Sequence, residues 1–159
     1  MGRVWKFGDS IDTDTITPAQ YLTSYNKDEY VPHAMEPVAP NFGGESEKGD
    51  VIIAGTNFGC GSSRESAPIA LKENGIQAVV AKSFARIFFR NSINIGLPVF
   101  ICSEAHEKVD DEDDVEIDFE NSAIINKTKS EKYIAERHPE FIRNIIDHGG
   151  IAEYRKQLE

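Results

Sequence analysis

Cysteine is scarce in this sequence. The 159 residues include only two cysteines, Cys60 and Cys102. An iron–sulfur cluster takes three or four thiolates, so this chain has too few to hold one by itself. The Cys-x-x-Cys and clustered-His spacings of zinc sites are also missing. Cys102 closes an apolar strand, where a small buried hydrophobe is expected. Any metal that the chemistry needs would therefore have to come from another chain.

Basic charge and long apolar runs are lacking too. Seventeen Lys and Arg stand against 27 Asp and Glu, a net charge of −10, which disfavours binding to nucleic-acid phosphates. No apolar run approaches the ~20 residues of a membrane span, and the N-terminus has no secretory-signal pattern. With two cysteines that suit a reducing compartment, these features predict a cytoplasmic protein that binds neither nucleic acid nor membrane.

Much of the acidic charge is concentrated in residues 104–120, EAHEKVDDEDDVEIDFE. The paired aspartates lack the glycine and the spacing of a calcium loop. We therefore expect a solvated loop and a strand edge there, rather than a metal site.

What the sequence does contain is a loop rich in hydrogen-bond donors, NFGCGSSRE at 57–65. It follows the apolar run 51–54 and precedes an apolar-periodic segment that ends at Gly75. Glycines let the backbone turn sharply and approach a ligand closely. The hydroxyls of Ser62 and Ser63 and the guanidinium of Arg64 then arrive where a helix start favours negative charge. This pattern predicts a turn that binds a carboxylate or phosphate, with a hydroxyl beside the anion.

The same residues partly match other known sequence patterns, namely a helix capping box, two nucleotide-binding loops and a serine hydrolase motif. Ser62 and Glu65 match a capping box for a helix that starts at residue 63. Pro68 disfavours that start, because proline is tolerated only in a first turn, so we expect the helix to begin near 66 or 67. Arg64 stands in place of the third glycine of a dinucleotide fingerprint, and no Gly-Lys-Ser/Thr of a Walker loop follows. A Ser–His–Asp hydrolase is disfavoured, since the Gly-x-Ser-x-Gly elbow is missing and no histidine neighbours Ser62.

Strands that alternate with helices place this loop in an α/β chain. Apolar runs at 51–54, 78–81 and 97–102 alternate with helical segments at 66–74 and 85–91, which suggests a parallel unit. The other expected elements are a strand at 4–7, an acidic turn at 11–16, short helices around a loop near 23–28, a turn-rich stretch at 37–50, a hairpin of 115–119 with 123–126, a helix from 139 to 147 closed by two glycines, and a last helix at 151–158. Without repeats or linkers, the chain 1–159 is expected to form one domain.

Five sequence blocks resemble the swivelling domain of the aconitase superfamily. They are FGD at 7–9, IDTDTI at 11–16, GCGSSRE at 59–65, AKSFARI at 81–87 and NSINIGLP at 91–98. Their order and spacing are similar to those of the separate small subunits of isopropylmalate dehydratases and homoaconitases. The resemblance covers essentially the whole chain, and it implies the layered β/β/α swivelling-domain architecture, which periodicity does not supply.

The resemblance also implies a reaction, a dehydration and rehydration that moves a hydroxyl between adjacent carbons of a 2-hydroxy acid. The Lewis acid would be an open iron of a [4Fe-4S] cluster in a large partner subunit. By resemblance, Ser62 is the base and works as an alkoxide, with Gly61 and the next backbone N–H groups as an oxyanion-type nest. Ser63 and Arg64 would grip a substrate carboxylate, which suits the guanidinium fork. Asp14 would orient Arg64 or serve a proton path.

Other residues in these blocks have structural explanations beside functional ones. Asp12 fits the role of a turn former. Lys82 and Arg86 fit packing and ion pairs at the start of a helix, with a direct substrate role as the alternative. Cys60 could line the substrate cavity or only pack. Ser66 stands where relatives usually carry histidine, a position that we expect to concern the helix start or an interface rather than the base.

The variable arm of the substrate is expected to contact the loop 23–28, after the Tyr-Leu pair. Relatives that accept homoaconitate-type substrates tend to place arginine just after this pair, whereas this chain has Thr23 and no arginine from 4 to 63. An unpaired carboxylate in a closed site is costly, so Thr23 and Tyr25 favour a branched apolar arm, although Lys27 could reach a distal acid. We expect a small subunit that acts on isopropylmalate in leucine biosynthesis. A homoaconitase-type hydro-lyase and a non-catalytic anion-binding module are the alternatives.

Overall fold

The structure is a computed structural model that describes residues 2–24 and 26–159. The strands of this part of the chain are β1 (Gly2–Lys6), β2 (Val51–Ala54), β3 (Ala78–Ala81), β4 (Val99–Ile101), β5 (Asp114–Asp118), β6 (Ala123–Asn126) and β7 (Glu131–Ile134). Its α-helices are α1 (Thr13–Ile16), α2 (Lys27–Tyr30), α3 (Phe42–Glu45), α4 (Ser66–Glu73), α5 (Arg86–Asn94), α6 (Ser103–Lys108), α7 (Glu140–Asp147) and α8 (Ile151–Leu158), and short 3-10 helices cover Ala19–Tyr21 and Val31–His33. The strands form one sheet in the order β4-β3-β2-β1-β5-β6-β7.

One half of the sheet is parallel. Strands β1 to β4 run side by side, with Val4 opposite Val51 and Ile52 opposite Val79. Every residue of β2 and β3 is buried, as expected for strands covered on both faces. Helices α4 and α5 make the crossovers between β2, β3 and β4. The parallel unit predicted for the middle of the chain is confirmed.

The other half is antiparallel, and here two elements escape prediction. The expected hairpin is present as β5 and β6, with Ile117 opposite Ile124. β7 pairs antiparallel with β6, but of its residues only Tyr133 is buried, so its sequence carries little apolar pattern. The prediction for 104–120 is wrong in two respects, because residues 103–108 form α6 and because β5 lies inside the sheet between β1 and β6.

The sheet curls until its two edges approach each other. Glu136, just after β7, donates its backbone N–H to the carbonyl of Ile101 in β4 at 2.9 Å. One buried cluster accordingly joins side chains of both halves, among them Val80 from β3 and Ile124 from β6. The antiparallel half thus covers one face of the parallel half, and this confirms the layered β/β/α architecture.

The opposite face of the parallel half is covered by helices. A second core packs Ile52 and Val79 against Leu71 of α4, Phe88 of α5 and Ile145 of α7. Helix α7 follows Pro139 and ends before two glycines of positive φ, in the predicted order. The loop expected near 23–28 is interrupted by α2 from Lys27 onward, and Tyr25 lies outside the described residues. Among the residues described, no helix is long and apolar enough to cross a membrane.

Candidate active site

The serine loop, defined here as residues 59–66, lies beyond the carboxyl end of β2, between the connections that follow β1 and β3. The backbone N–H of Gly59 donates to the carbonyl of Ile11 at 2.7 Å on one side. On the other side, Phe58, directly before the loop, donates its backbone N–H to the carbonyl of Ser83 at 3.1 Å. The carbonyl of Phe58 accepts from the backbone N–H of Ala85 at 2.9 Å. Ligands of parallel α/β sheets typically bind at this end of the strands. The loop is therefore fixed by backbone bonds to both neighbours.

Two glycines let the loop approach its neighbours closely. Gly59 has a φ of 84°, and a Cβ there would lie 2.2 Å from the ring of Phe88, which is buried under the loop. Gly61 has a φ of 104°, and its Cβ would lie 3.1 Å from Thr13 Oγ1. Residues other than glycine rarely adopt such φ angles. The glycines thus serve both the turn and the contact with α1 and α5.

Helix α4 begins at Ser66, as Pro68 predicted. Its N-cap residue is Glu65, and no side chain forms a cap hydrogen bond. The capping-box interpretation of Ser62 is therefore wrong, and both Ser62 and Ser63 are exposed in the loop before the helix. In the described ranges, the backbone N–H groups of Ser62 and Ser63 donate to no protein acceptor. The loop thus offers two hydroxyls and two backbone donors to a ligand.

Arg64 is held in place by the segment around α1. Its Nη1 donates to Asp14 Oδ1 at 3.2 Å and to the carbonyl of Thr17 at 3.0 Å. Asp14 also accepts from the backbone N–H of Ala19 at 3.1 Å. That backbone bond, followed by the bond from Arg64, lowers the pKa of Asp14 below its ordinary value. Asp14 is therefore ionised near neutral pH and faces the arginine as a carboxylate.

Helix α1 touches the serine loop through two hydroxyl pairs as well. Thr13 Oγ1 lies 3.4 Å from Ser62 Oγ, and Thr17 Oγ1 lies 3.2 Å from Ser66 Oγ. Both threonines are buried. Asp12 caps the helix by accepting from the backbone N–H of Thr15 at 2.7 Å, which confirms its role as a turn former. Neither threonine carries a signal in the sequence, because their partners lie 49 positions away.

A cavity of about 320 Å³ opens beside the loop, lined by Leu22, Ser63, Arg64, Glu65 and Ser66. Leu22, Glu65 and Ser66 had not been predicted as lining residues. Their sequence signal is only their place next to the Ser-Ser-Arg run or to Thr23. Thr23 itself is exposed and follows Leu22 directly.

Several other candidate side chains are engaged elsewhere. Lys82 pairs with Glu107 at 3.4 Å, and Lys27 pairs with Glu73 at 3.1 Å. Arg86 lines a separate apolar cavity of about 360 Å³ between α5, α7 and α8. Cys60 is half-buried within the loop. The cavity next to Ser62 thus has Arg64 as its cationic lining residue.

The donor set of this chain does not suit a metal. Among residues 2–24 and 26–159, no group of three or more His, Cys, Asp or Glu side chains is placed to share an ion. Cys102 is buried, and this burial raises the pKa of its thiol, which disfavours the thiolate that a metal needs. The site suits the binding of a carboxylate by Arg64 and backbone N–H groups, with a serine hydroxyl placed for proton transfer.

The chain matches a known protein family and is similar in sequence to proteins of known name. Residues 10–104 match the aconitase C-terminal domain family. The chain is 52% identical over 158 residues to a 3-isopropylmalate dehydratase small subunit 1 from Archaeoglobus fulgidus, covering 99% of this chain and 98% of the relative. It is 54% identical over 150 residues to a 3-isopropylmalate dehydratase small subunit from Brachyspira hyodysenteriae, covering 94% and 92%.

A solved structure agrees with these sequence relatives. The crystal structure of 3-isopropylmalate dehydratase (leuD) from Methanocaldococcus jannaschii superposes with a TM-score of 0.93 at 45% identity. The match covers 99% of this chain and 93% of the crystallised one. The similarity therefore extends over the curled sheet, the serine loop and the terminal helices alike.

Proposed function

Because this chain belongs to the aconitase C-terminal domain family, together with the small subunits of 3-isopropylmalate dehydratase, we propose that it is the small subunit of a hydro-lyase. The reaction would interconvert 2-isopropylmalate and 3-isopropylmalate by dehydration and rehydration, in leucine biosynthesis. The observation that carries the proposal is the exposed Ser62 hydroxyl on a backbone-fixed loop, next to an Arg64 that Asp14 and a backbone carbonyl hold in place.

In this proposal Ser62 is the base. It removes a proton from the substrate carbon during dehydration and returns it during rehydration. A serine hydroxyl is a weak base unless its anion is stabilised. The backbone N–H groups of Ser62 and Ser63, which have no protein acceptor in the described part of the chain, are donors suited to an oxyanion. The turn at Gly61 gives these donors their direction.

Arg64 and Ser63 bind a carboxylate of the substrate. A guanidinium presents two parallel N–H donors to the two oxygens and keeps its charge at any physiological pH. Asp14 and the Thr17 carbonyl both accept from Nη1 of Arg64, and Arg64 also lines the cavity, so its other N–H groups are the donors proposed for the substrate carboxylate. The role of Asp14 is thus to orient Arg64 and to offset its charge while no substrate is bound.

A large iron–sulfur subunit completes the site. When bound there, its [4Fe-4S] cluster supplies a Lewis acid that helps the hydroxyl leave. Two cysteines in this chain, one of them buried, are too few to hold such a cluster. Ser62 and Ser63 are exposed on the isolated chain, and catalysis in a water-excluded site requires that a partner cover them. We place this complex in the cytoplasm, since both thiols are free.

The residues around the cavity favour isopropylmalate as the substrate over acids that carry a further carboxylate. Leu22 lines it and can contact a branched apolar arm, with Thr23 next to it. Lys27, the residue that could have bound a distal carboxylate, pairs with Glu73 instead. A homoaconitase-type substrate would bring an extra carboxylate without a charged partner, which is costly in a closed site.

Reconstitution tests the proposal. This chain would be combined anaerobically with the large subunit encoded in the same genome, and the complex assayed for interconversion of the two isopropylmalates. We expect activity and stoichiometric iron only in the complex, with neither in the isolated chain. Isomerase activity from this chain alone would exclude the subunit assignment. Binding of isopropylmalate to a complex that never turns it over would favour a non-catalytic anion-binding module.

A further inference from the structure

We propose that Thr13 is a positioning residue for Ser62. Its hydroxyl donates to Ser62 Oγ, leaves the proton of Ser62 to the exposed side of the loop and stabilises Ser62 in its deprotonated form. This role rests on the proposed function, in which Ser62 is the base. The contact itself is a feature of the fold, with Thr13 Oγ1 placed 3.4 Å from Ser62 Oγ.

The backbone of Thr13 is fixed on both sides. Its N–H donates to the carbonyl of Cys60 at 2.8 Å, which ties the start of α1 to the serine loop. Its carbonyl accepts from the N–H of Thr17 at 2.8 Å and from the Thr17 hydroxyl at 3.2 Å. Thr13 is only 3% exposed. The side chain therefore has a defined position under the loop, next to Gly61.

The direction of the bond follows from burial. Among the residues that the structure describes, Ser62 Oγ is the one hydrogen-bond partner of Thr13 Oγ1. A buried hydroxyl without a partner is costly, so the Thr13 proton is best used on Ser62. Ser62 is exposed, so its own proton is free to turn away from Thr13, toward the surface on which its neighbours Ser63 and Arg64 line the cavity. A hydroxyl carries one proton and two acceptor lone pairs, so Ser62 can accept from Thr13 while its proton faces the substrate.

This arrangement favours the basic form of Ser62. During dehydration, with Ser62 as the alkoxide, the substrate C–H bond breaks, its proton forms the Ser62 O–H bond, and the electron pair left on carbon expels hydroxide, for which the partner subunit would supply a Lewis acid. Rehydration reverses these changes and restores the alkoxide. The Thr13 proton stays on Thr13 throughout. A hydrogen bond to an anionic oxygen is shorter and stronger than one to a neutral oxygen. The Thr13 bond thus stabilises the alkoxide more than the alcohol, and so lowers the pKa of Ser62.

Three variants of α1, each in the reconstituted complex, test the proposal. Thr13→Val keeps the shape and removes the hydroxyl, Thr13→Ser keeps the hydroxyl, and Thr15→Val is the matched control on the same helix. We expect Thr13→Val to lower kcat roughly 10- to 100-fold with KM near that of the wild type, because one donor to a developing oxyanion is lost. Its kcat–pH profile should shift to higher pH. Thr13→Ser should restore most of the rate, and Thr15→Val should leave it unchanged.

The possible outcomes separate this role from simple packing. Full kcat and an unshifted pH profile in Thr13→Val would refute it, and so would an equal loss in Thr13→Ser, since then the methyl group matters rather than the hydroxyl. A wild-type complex that is inactive on isopropylmalate would instead overturn the proposed function. Crystal structures of the isolated chain then decide about Thr13. We expect one Ser62 rotamer in the wild type and in Thr13→Ser but several in Thr13→Val, and a single unchanged rotamer in Thr13→Val contradicts the positioning role.

Discussion

The serine loop and the segment 22–30 meet at the same cavity but are held in different ways. The loop has backbone bonds to the connections after β1 and β3, glycines at its two close contacts, and hydroxyl pairs with buried threonines. In the segment, Thr23 and Ser24 are exposed, as are residues 26–29. Its described side-chain contacts are mostly local or at the surface, and they include an Asn26 cap, a bond from Ser24 to Glu29 and the pair of Lys27 with Glu73.

This difference suggests that the serine loop serves the reaction and that the segment 22–30 serves the choice of substrate. Proton transfer and carboxylate binding need side chains fixed to within a fraction of an ångström. The loop meets this need because the connections after β1 and β3 hold its backbone and because α1 and α5 contact it. An exposed segment can change its side chains at little cost to the fold, which is where differences between substrates are usually encoded. We therefore expect substitutions in the loop to impair the reaction itself, and substitutions in the segment to act, where they act at all, on the choice of substrate.

The largest effect is expected at Ser62. Ser62→Ala should lower kcat by roughly 10²- to 10⁴-fold, the usual cost of losing a general base, because no other hydroxyl lies in the same position. KM should change little, since Arg64 and the backbone donors remain. Steady-state kinetics of the reconstituted complex measure both constants. The matched control is Ser103→Ala on α6, an exposed serine outside the site, and near wild-type turnover in Ser62→Ala would exclude Ser62 as the base.

Arg64→Lys should act mainly on binding. A lysine keeps the charge but cannot present a planar fork, so its one nitrogen cannot hold Asp14 and the Thr17 carbonyl and also offer a parallel pair of N–H donors to a substrate carboxylate. We expect KM to rise about 10- to 100-fold, with a smaller fall in kcat. Arg155→Lys, an exposed position on α8, serves as the control. An unchanged KM in Arg64→Lys would mean that the carboxylate binds elsewhere.

The candidate residues of the loop could be selected from the sequence because they are adjacent in the chain; their chemical roles stay a prediction. Ser62, Ser63 and Arg64 form one run, and Pro68 correctly indicated where α4 begins. The strands of the parallel half were predictable too, since their apolar runs are short and bounded by turns. These signals involve residues that are close in the chain, so they can be recognised without knowledge of the fold.

Contacts between distant segments were not accessible. Thr13 and Thr17 look like ordinary polar residues of a short turn until the fold brings them to partners 49 positions away. The curl of the sheet brings Glu136 to Ile101, a contact that no periodicity indicates. Strand β7 has charged and exposed residues around Tyr133, and α6 is polar, so neither shows an apolar pattern. The family resemblance supplied the architecture that the residues alone did not.

The smallest effects on the kinetic constants are expected for substitutions in the segment 22–30. They also test most directly how this segment differs from the serine loop. Thr23→Arg adds a cation next to Leu22 at the cavity. An arginine there can pair with a distal carboxylate and thereby remove the penalty for burying it. We expect kcat/KM for isopropylmalate to fall about 10-fold and kcat/KM for homocitrate to rise by a similar factor, with iron content and melting temperature unchanged.

Lys27→Ala is the matched variant in the same segment. If Lys27 only forms its exposed pair with Glu73, its removal should change kcat/KM for either substrate less than about twofold, because such pairs contribute little. A large loss of homocitrate activity in Lys27→Ala would show that the lysine leaves Glu73 and binds the distal acid. In that case Lys27, rather than Thr23, would set the choice of substrate. If both variants left the two kcat/KM values unchanged, the segment would have no part in selectivity, and the lining residues Leu22, Glu65 and Ser66 would be the next to vary.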